Sequence, residues 1–261
     1  MTNNLLLKPI RNTLISMTLL CTLSACQTTN YNADSQFTAV ADSIVDYRQS
    51  SSPYGNIEGV NGYLLANLSP EFLEQQYNKK TQFLAELDAL DAASLSDENQ
   101  INFSIIRAQV QNSVDEYVFN AHYMPLTSEY GFHSGLSYIV NSSQYKTLQN
   151  YQTYLARLAQ VPRFFEQNIY WMKKGLETGL TQPKAVLEGY EESISAYIVE
   201  DVTTSEYYKP FLKNNAGLPE SEFKSLQQQA QSVIKDKVIE SYKNYLAFFT
   251  QEYRPGARTS I

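Results

Sequence analysis

The chain has 261 residues, 43% of them hydrophobic, which is enough to bury a full core as one large domain or two small ones. Its net charge is −7, and because Lys8 and Arg11 are the only charges up to position 25, the remainder carries −9. With no cluster of Lys and Arg to neutralise phosphates, nucleic acid is excluded as an expected partner.

Residues 1–25 read as a processing signal and are set apart from the fold. Lys8 and Arg11 form a positive start, Thr13 to Leu20 a short apolar core, and Leu23-Ser24-Ala25-Cys26 resembles a bacterial lipobox. In that arrangement small residues precede a cysteine whose thiol takes a diacylglyceryl group, and cleavage leaves Cys26 as the new N-terminus. An ordinary secretory signal with an incidental cysteine is the alternative. Gln27 rather than Asp follows Cys26, which favours the outer membrane of a Gram-negative envelope. Since Cys21 lies inside the signal and Cys26 would be acylated, the mature chain has no thiol for a disulfide, a cysteine nucleophile or a thiolate metal site. No later run approaches the ~18 apolar residues of a spanning helix, so membrane attachment is expected through the lipid alone.

Residues 26–34 read as a polar tether, and the folded region is expected to run from 35 to 261. A first helix is predicted over 35–48, with Phe37, Val40, Ile44 and Val45 on one side, ending in a Ser, Pro and Gly cluster. Ser69 as cap, Pro70 at the first helical position and Glu71 against the dipole start a second helix, which runs to about Leu90. A third starts at Ser94 or Ser96 and continues to about Asn120. Residues 121–146 mix Pro, Gly, Ser, both histidines and several tyrosines without periodicity, and a loop of that length is either functional or hides structure. Helical order returns in three pieces, the second opened by Pro162 and closed by Gly179, the third opened by Pro183 and running towards Val199. After an irregular stretch, Pro219 starts the longest helix, to about Tyr253 and on the order of 50 Å long. Strand-like alternation is nearly absent, so the predicted class is all-α, an array of antiparallel helices.

Candidate chemistry is sparse. His122 and His133 are eleven residues apart with Glu129 between them, and neither has the partner four residues away that a helical zinc pair needs. No Gly-x-Ser-x-Gly elbow and no phosphate-binding glycine loop is present. Glu191-Glu192 and Glu220 with Glu222 fall where helix starts or exposed faces are expected. Tyr117, Tyr123, Tyr130, Tyr138 and Tyr145 either line a binding groove or serve core and surface packing. No catalytic residue, metal ligand or cofactor is assigned.

Several short motifs, in order, resemble a bacterial family known as domain of unknown function 885. They are Leu68-Ser69-Pro70, Leu87-Asp88-Ala89-Leu90 with Leu95-Ser96, and Asn102-Phe103 with Arg107. Pro125-Leu126, Gly131-Phe132-His133, Tyr154-Leu155-Ala156-Arg157-Leu158 with Pro162, Gly175, Gly179 and Pro183 follow, and Tyr253-Arg254-Pro255 with Ala257-Arg258 close the series. The resemblance covers residues 40–261. It implies the N-terminal half of a helical protein similar to zinc metallopeptidases, whose His-Glu-x-x-Pro-Gly-His motif would lie beyond Ile261. Because the chain holds no His-Glu pair, no zinc ligand carries over to it, and zinc is expected only with a further C-terminal half. His133 with its adjoining loop is expected to reach a substrate cleft, and Arg258 either faces that cleft or is structural. If residues are missing, the apolar face of the 219–253 helix should lie exposed.

The expected function is therefore that of a lipid-anchored envelope protein, the cleft-forming half of a zinc peptidase-like protein, inactive alone and facing a possible peptide substrate. A complete, non-catalytic helical lipoprotein that binds peptides or a protein partner is the alternative.

Overall fold

A computed structural model of the chain describes the backbone of residues 13–54 and 62–260, and side chains within those ranges from residue 32 onward. The start of the signal and the thiol of Cys26 lie outside what is described. The described residues form helices and turns with one isolated antiparallel bridge, Leu126 to Gly131, so the protein is all-α. No described helix is long and apolar enough to cross a membrane.

Two compact units divide the chain, Met1–Tyr47 with Asn78–Val114 and Arg48–Tyr77 with Asp115–Ile261. The first is built on α1 (Thr13–Ser51) and on parts of α2 (Pro70–Asp88) and α3 (Asp97–Val118). The helix predicted over 35–48 forms, but α1 continues upstream through the stretch read as a tether. Residues 27–34 contain neither Gly nor Pro, so nothing local interrupts it. Helix α2 begins as the sequence predicts: Ser69 Oγ accepts from the backbone N–H of Phe72 at 3.3 Å, and Pro70 takes the first helical position. Phe37, Ile44, Phe83, Leu87, Leu95 and Val110 meet in the core of this unit.

The second unit holds the larger core. The stretch 121–146, read as a loop, contains structure: a 3-10 turn at Ala121–Tyr123, then α4 (Phe132–Leu136) and α5 (Tyr138–Ser142). Helices of one to two turns show too few apolar repeats to register as a period. Thr147 caps α6 (Leu148–Ala159), Pro162 lies in the first turn of α7 (Val161–Thr178), and Gly179 closes α7 at a φ of 75°. The helix predicted from Pro183 to Val199 is interrupted. A 3-10 turn at Lys184–Leu187 gives way to Gly189, whose φ of 77° breaks the helical path before α8 (Tyr190–Ser195).

The last helix forms as α9 (Glu220–Val233), α10 (Glu240–Phe248) and α11 (Arg254–Gly256), joined by π-helical turns at Ile234–Ile239 and Phe249–Tyr253. Each wider turn inserts residues and rotates the apolar stripe, so that Val238 and Ile239, Tyr242 and Tyr245, and Phe248 and Phe249 are all buried. Its predicted face, including Phe223, Leu226, Ala230 and Ile234, is covered rather than exposed, because it packs against α6, α7 and α8.

Candidate functional site

Gly131, Phe132 and His133 open α4 directly after the bridge that pairs Gly131 with Leu126, which delivers the His133 ring into the core at 1% exposure. Rings of Phe132, Tyr190 and Tyr245 surround it, with centroids 6.0, 5.3 and 5.5 Å away. Ser193, on α8, has one hydroxyl proton and donates it to the Tyr190 carbonyl at 2.7 Å. The 3.0 Å contact between His133 Nε2 and Ser193 Oγ is then completed by a proton on Nε2, leaving Nδ1 as a bare lone pair. Among the described residues Nδ1 has no hydrogen-bond partner, nor does the buried hydroxyl of Tyr245. Burial pulls the His133 pKa from 6.5 down to about 4, so the imidazole is neutral at ordinary pH.

The main chain of His133 is fixed as firmly as its ring. Tyr242, on α10, donates to the His133 carbonyl at 2.6 Å, so the 2.6 Å contact between Tyr242 and Tyr207 is completed by the proton of Tyr207. Tyr154 donates in turn to the Tyr207 carbonyl at 3.0 Å. Burial raises the pKa of all three phenols, which keeps them neutral and able to donate. The close fit extends to Gly131, where a Cβ would fall 2.1 Å from Tyr190 Oη and 2.6 Å from His133 Nδ1. This arrangement holds a neutral imidazole inside the ring cluster, with almost none of its surface exposed.

His122 occupies a different environment. Asn120 turns the chain at a φ of 56°, a conformation Asn tolerates, and the His122 ring stacks on Tyr117 at 5.5 Å while meeting Tyr123 and Trp171 edge-on. Burial lowers its pKa as well. The two histidines have no ring neighbour in common. The five tyrosines considered as a groove divide likewise: Tyr117 and Tyr123 join this stack, Tyr145 packs on Tyr151 and Tyr154, and Tyr130 and Tyr138 are exposed.

Arg258 is exposed and ties the end of the described chain to the turn after α7. Its backbone N–H donates to Thr181 Oγ1 at 3.0 Å, its Nε donates to the Thr181 carbonyl at 2.8 Å, and its carbonyl accepts from the Lys184 N–H at 2.8 Å. Beside this staple lies an open cleft of about 640 Å³, lined by Lys184, Ala185, Glu188, Arg254, Pro255 and Thr259. Arg254 is ion-paired with Glu191. The cleft offers two cations, one carboxylate and a hydroxyl, a set suited to holding a charged ligand. Sequence reasoning singled out Arg258 and missed the cleft, because residues 184–188 and 254–259 become neighbours only through the fold.

Zinc, which the resemblance implies for longer relatives, has no ready-made set of ligands among the described residues. Among the described residues no three His, Cys, Asp or Glu side chains gather, and Nε2 of His133 is already spent on Ser193. No curated protein matches the chain. A family described as bacterial protein of unknown function, DUF885, matches residues 55–260, and the chain belongs to that family.

Proposed function

We propose that this chain is a lipid-anchored helical component of the bacterial cell envelope, placed at the outer membrane through Cys26. In this reading it supplies one wall of the substrate cleft of a peptidase-like protein and has no peptidase activity by itself. The observation that carries the reading is a family match over 55–260 in a chain whose histidines both pack among aromatic rings, with no group of three metal-binding side chains among the described residues. The cleft beside Arg258 is then a surface that meets a peptide rather than the seat of bond cleavage. Purified 261-residue chain should hold far less than one zinc per molecule by elemental analysis and should leave a panel of unstructured peptides intact. Stoichiometric zinc or measurable hydrolysis would overturn the assignment. The anchor is tested separately: Cys26→Ala should move the protein from the membrane pellet to the soluble fraction, and an unchanged distribution would remove the lipid from the picture.

A further inference from the structure

Lys174 pairs with Glu177 and Lys243 with Glu240, each three residues apart within a helix and each at 2.7 Å. Lys184 and Glu188 behave differently. They line the same cleft, yet neither is ion-paired, with the other or with any other charge among the described residues. The backbone keeps them apart. Lys184 opens a 3-10 turn whose Leu187 is buried, and Glu188 leaves that turn extended, at a ψ of 129°. The four-residue spacing that closes a Lys–Glu pair on an α-helix is thereby lost. The turn is also pinned from the other wall, because the Lys184 N–H donates to the Arg258 carbonyl at 2.8 Å. That wall follows the π-helical turn Phe249–Tyr253, which buries both of its end residues and leaves Arg254 outside to meet Glu191. Wider turns of this kind occur frequently at functional sites.

We propose that this cleft binds a short peptide by its two free ends, the C-terminal carboxylate on Lys184 and the N-terminal ammonium on Glu188. This rests on the reading of the cleft as a surface that meets a peptide, and adds which part of the peptide is read. A ligand with one charge satisfies one of the two side chains and is repelled by the other, whereas a zwitterion satisfies both. Arg254 does not displace Lys184 as the carboxylate anchor, since Glu191 already neutralises it. Thr259 brings a hydroxyl that can donate to the same carboxylate, and Ala185 and Pro255 give apolar wall to the peptide's side chains. The volume of about 640 Å³ falls among the roughly 300–1,000 Å³ of small-molecule sites. Both anchors are exposed, so binding is weak, on the order of 1 mM, and weakens further as salt screens the two pairs.

Chemical-shift titration of the isotope-labelled 261-residue chain tests this. Trialanine with free ends should shift the amides of 184–189 and 254–259, with half-saturation on the order of 1 mM. Acetylating its N-terminus or amidating its C-terminus should each weaken binding about fivefold, the worth of one exposed ion pair. Lys184→Met should remove the penalty for amidation and keep the penalty for acetylation, and Glu188→Gln should do the reverse. Both side chains are exposed and the bond to Arg258 uses only the Lys184 backbone, so both variants should fold. If doubly blocked trialanine shifts the same amides as strongly as the free peptide, the ends are not what is read. The proposal then falls while the cleft remains a surface that meets a peptide. Free alanine binding as tightly as trialanine would make the ligand an amino acid and would also overturn it. If no form shifts these amides at up to about 20 mM, both readings of the cleft fall together. None of these outcomes bears on zinc content or peptide hydrolysis.

Discussion

In the unit built from Met1–Tyr47 and Asn78–Val114, six side chains form the buried core, five aliphatic or phenylalanine residues on three helices and Leu95 between them. Polar support there lies near solvent: Asp34 accepts from the Ser96 N–H at 3.0 Å, and Arg107 forks onto Asp88 at 2.6 and 3.2 Å. The unit built from Arg48–Tyr77 and Asp115–Ile261 instead buries a continuous cluster of rings, with Phe132, Phe165, Tyr242 and Tyr245 at its centre. Buried phenols lose free energy unless the hydroxyl finds a partner, a requirement that Tyr245 leaves unmet. That requirement explains why this unit is threaded with side-chain to main-chain bonds such as Tyr154 to Tyr207 and Tyr242 to His133. A small aliphatic core tolerates repacking, whereas an aromatic core with directed hydroxyls does not.

The same substitution made in both cores gives the largest expected effect. Phe165 and Phe83 are each 2% exposed. Phe165 touches the rings of Phe132, Phe164, Tyr242 and Tyr245, while Phe83 meets the Tyr47 ring edge-on and the Lys79 ammonium at 4.3 Å. Phe165→Ala should cost about 5 kcal/mol and Phe83→Ala about 3, because a cavity between rings locked by hydrogen bonds relaxes least. Denaturant melts of the two variants, compared with wild type, decide the matter. Equal losses, or a larger one at Phe83, would show that the aromatic core is the more plastic of the two.

Elements also differ in how much of them the sequence discloses. Long amphipathic runs with their own start signals, such as Ser69-Pro70-Glu71 for α2 and Pro162 with Gly179 for α7, are legible because cap and period act over adjacent residues. Helices α4 and α5 escape because each spans only five residues, and the break at Gly189 escapes because a glycine inside a helical pattern does not announce its φ. The π-helical turns are invisible for a related reason: they preserve apolar spacing on average while changing which residues point inward. For the candidate site, the motif Gly131-Phe132-His133 drew notice to these residues, and the burial of His133 comes from partners far along the chain, Tyr190, Ser193 and Tyr242. The side chains that hold 62–68 left one readable trace, the recurrence of Arg, Gln, Arg, Gln and Trp at three or four residue intervals from 157, in α6, to 171, in α7. Polar residues at that spacing ordinarily mark a solvated face, and only the fold shows a backbone lying along them.

A smaller effect separates the units by pH. His133 titrates at about 4 in the folded chain and at 6.5 when unfolded. Between those values the unfolded chain takes up a proton that the folded chain refuses, so the stability present above 6.5 is lost as pH falls towards 4. The groups facing the ring are the phenols of Tyr190 and Tyr245, both raised by burial and neutral throughout this range, so no neighbouring charge offsets the loss. Going from pH 7 to pH 5 should cost about 2 kcal/mol through this one ring. His133→Gln keeps a donor for Ser193 and cannot titrate, so its denaturation midpoint should vary less over that interval than the midpoint of wild type, whatever its stability at pH 7. Identical pH slopes for the two proteins would mean that the imidazole is protonated within the fold. The aromatic core would then have to open enough at mild acidity to solvate a cation, and its rigidity relative to the aliphatic core would be lost with it.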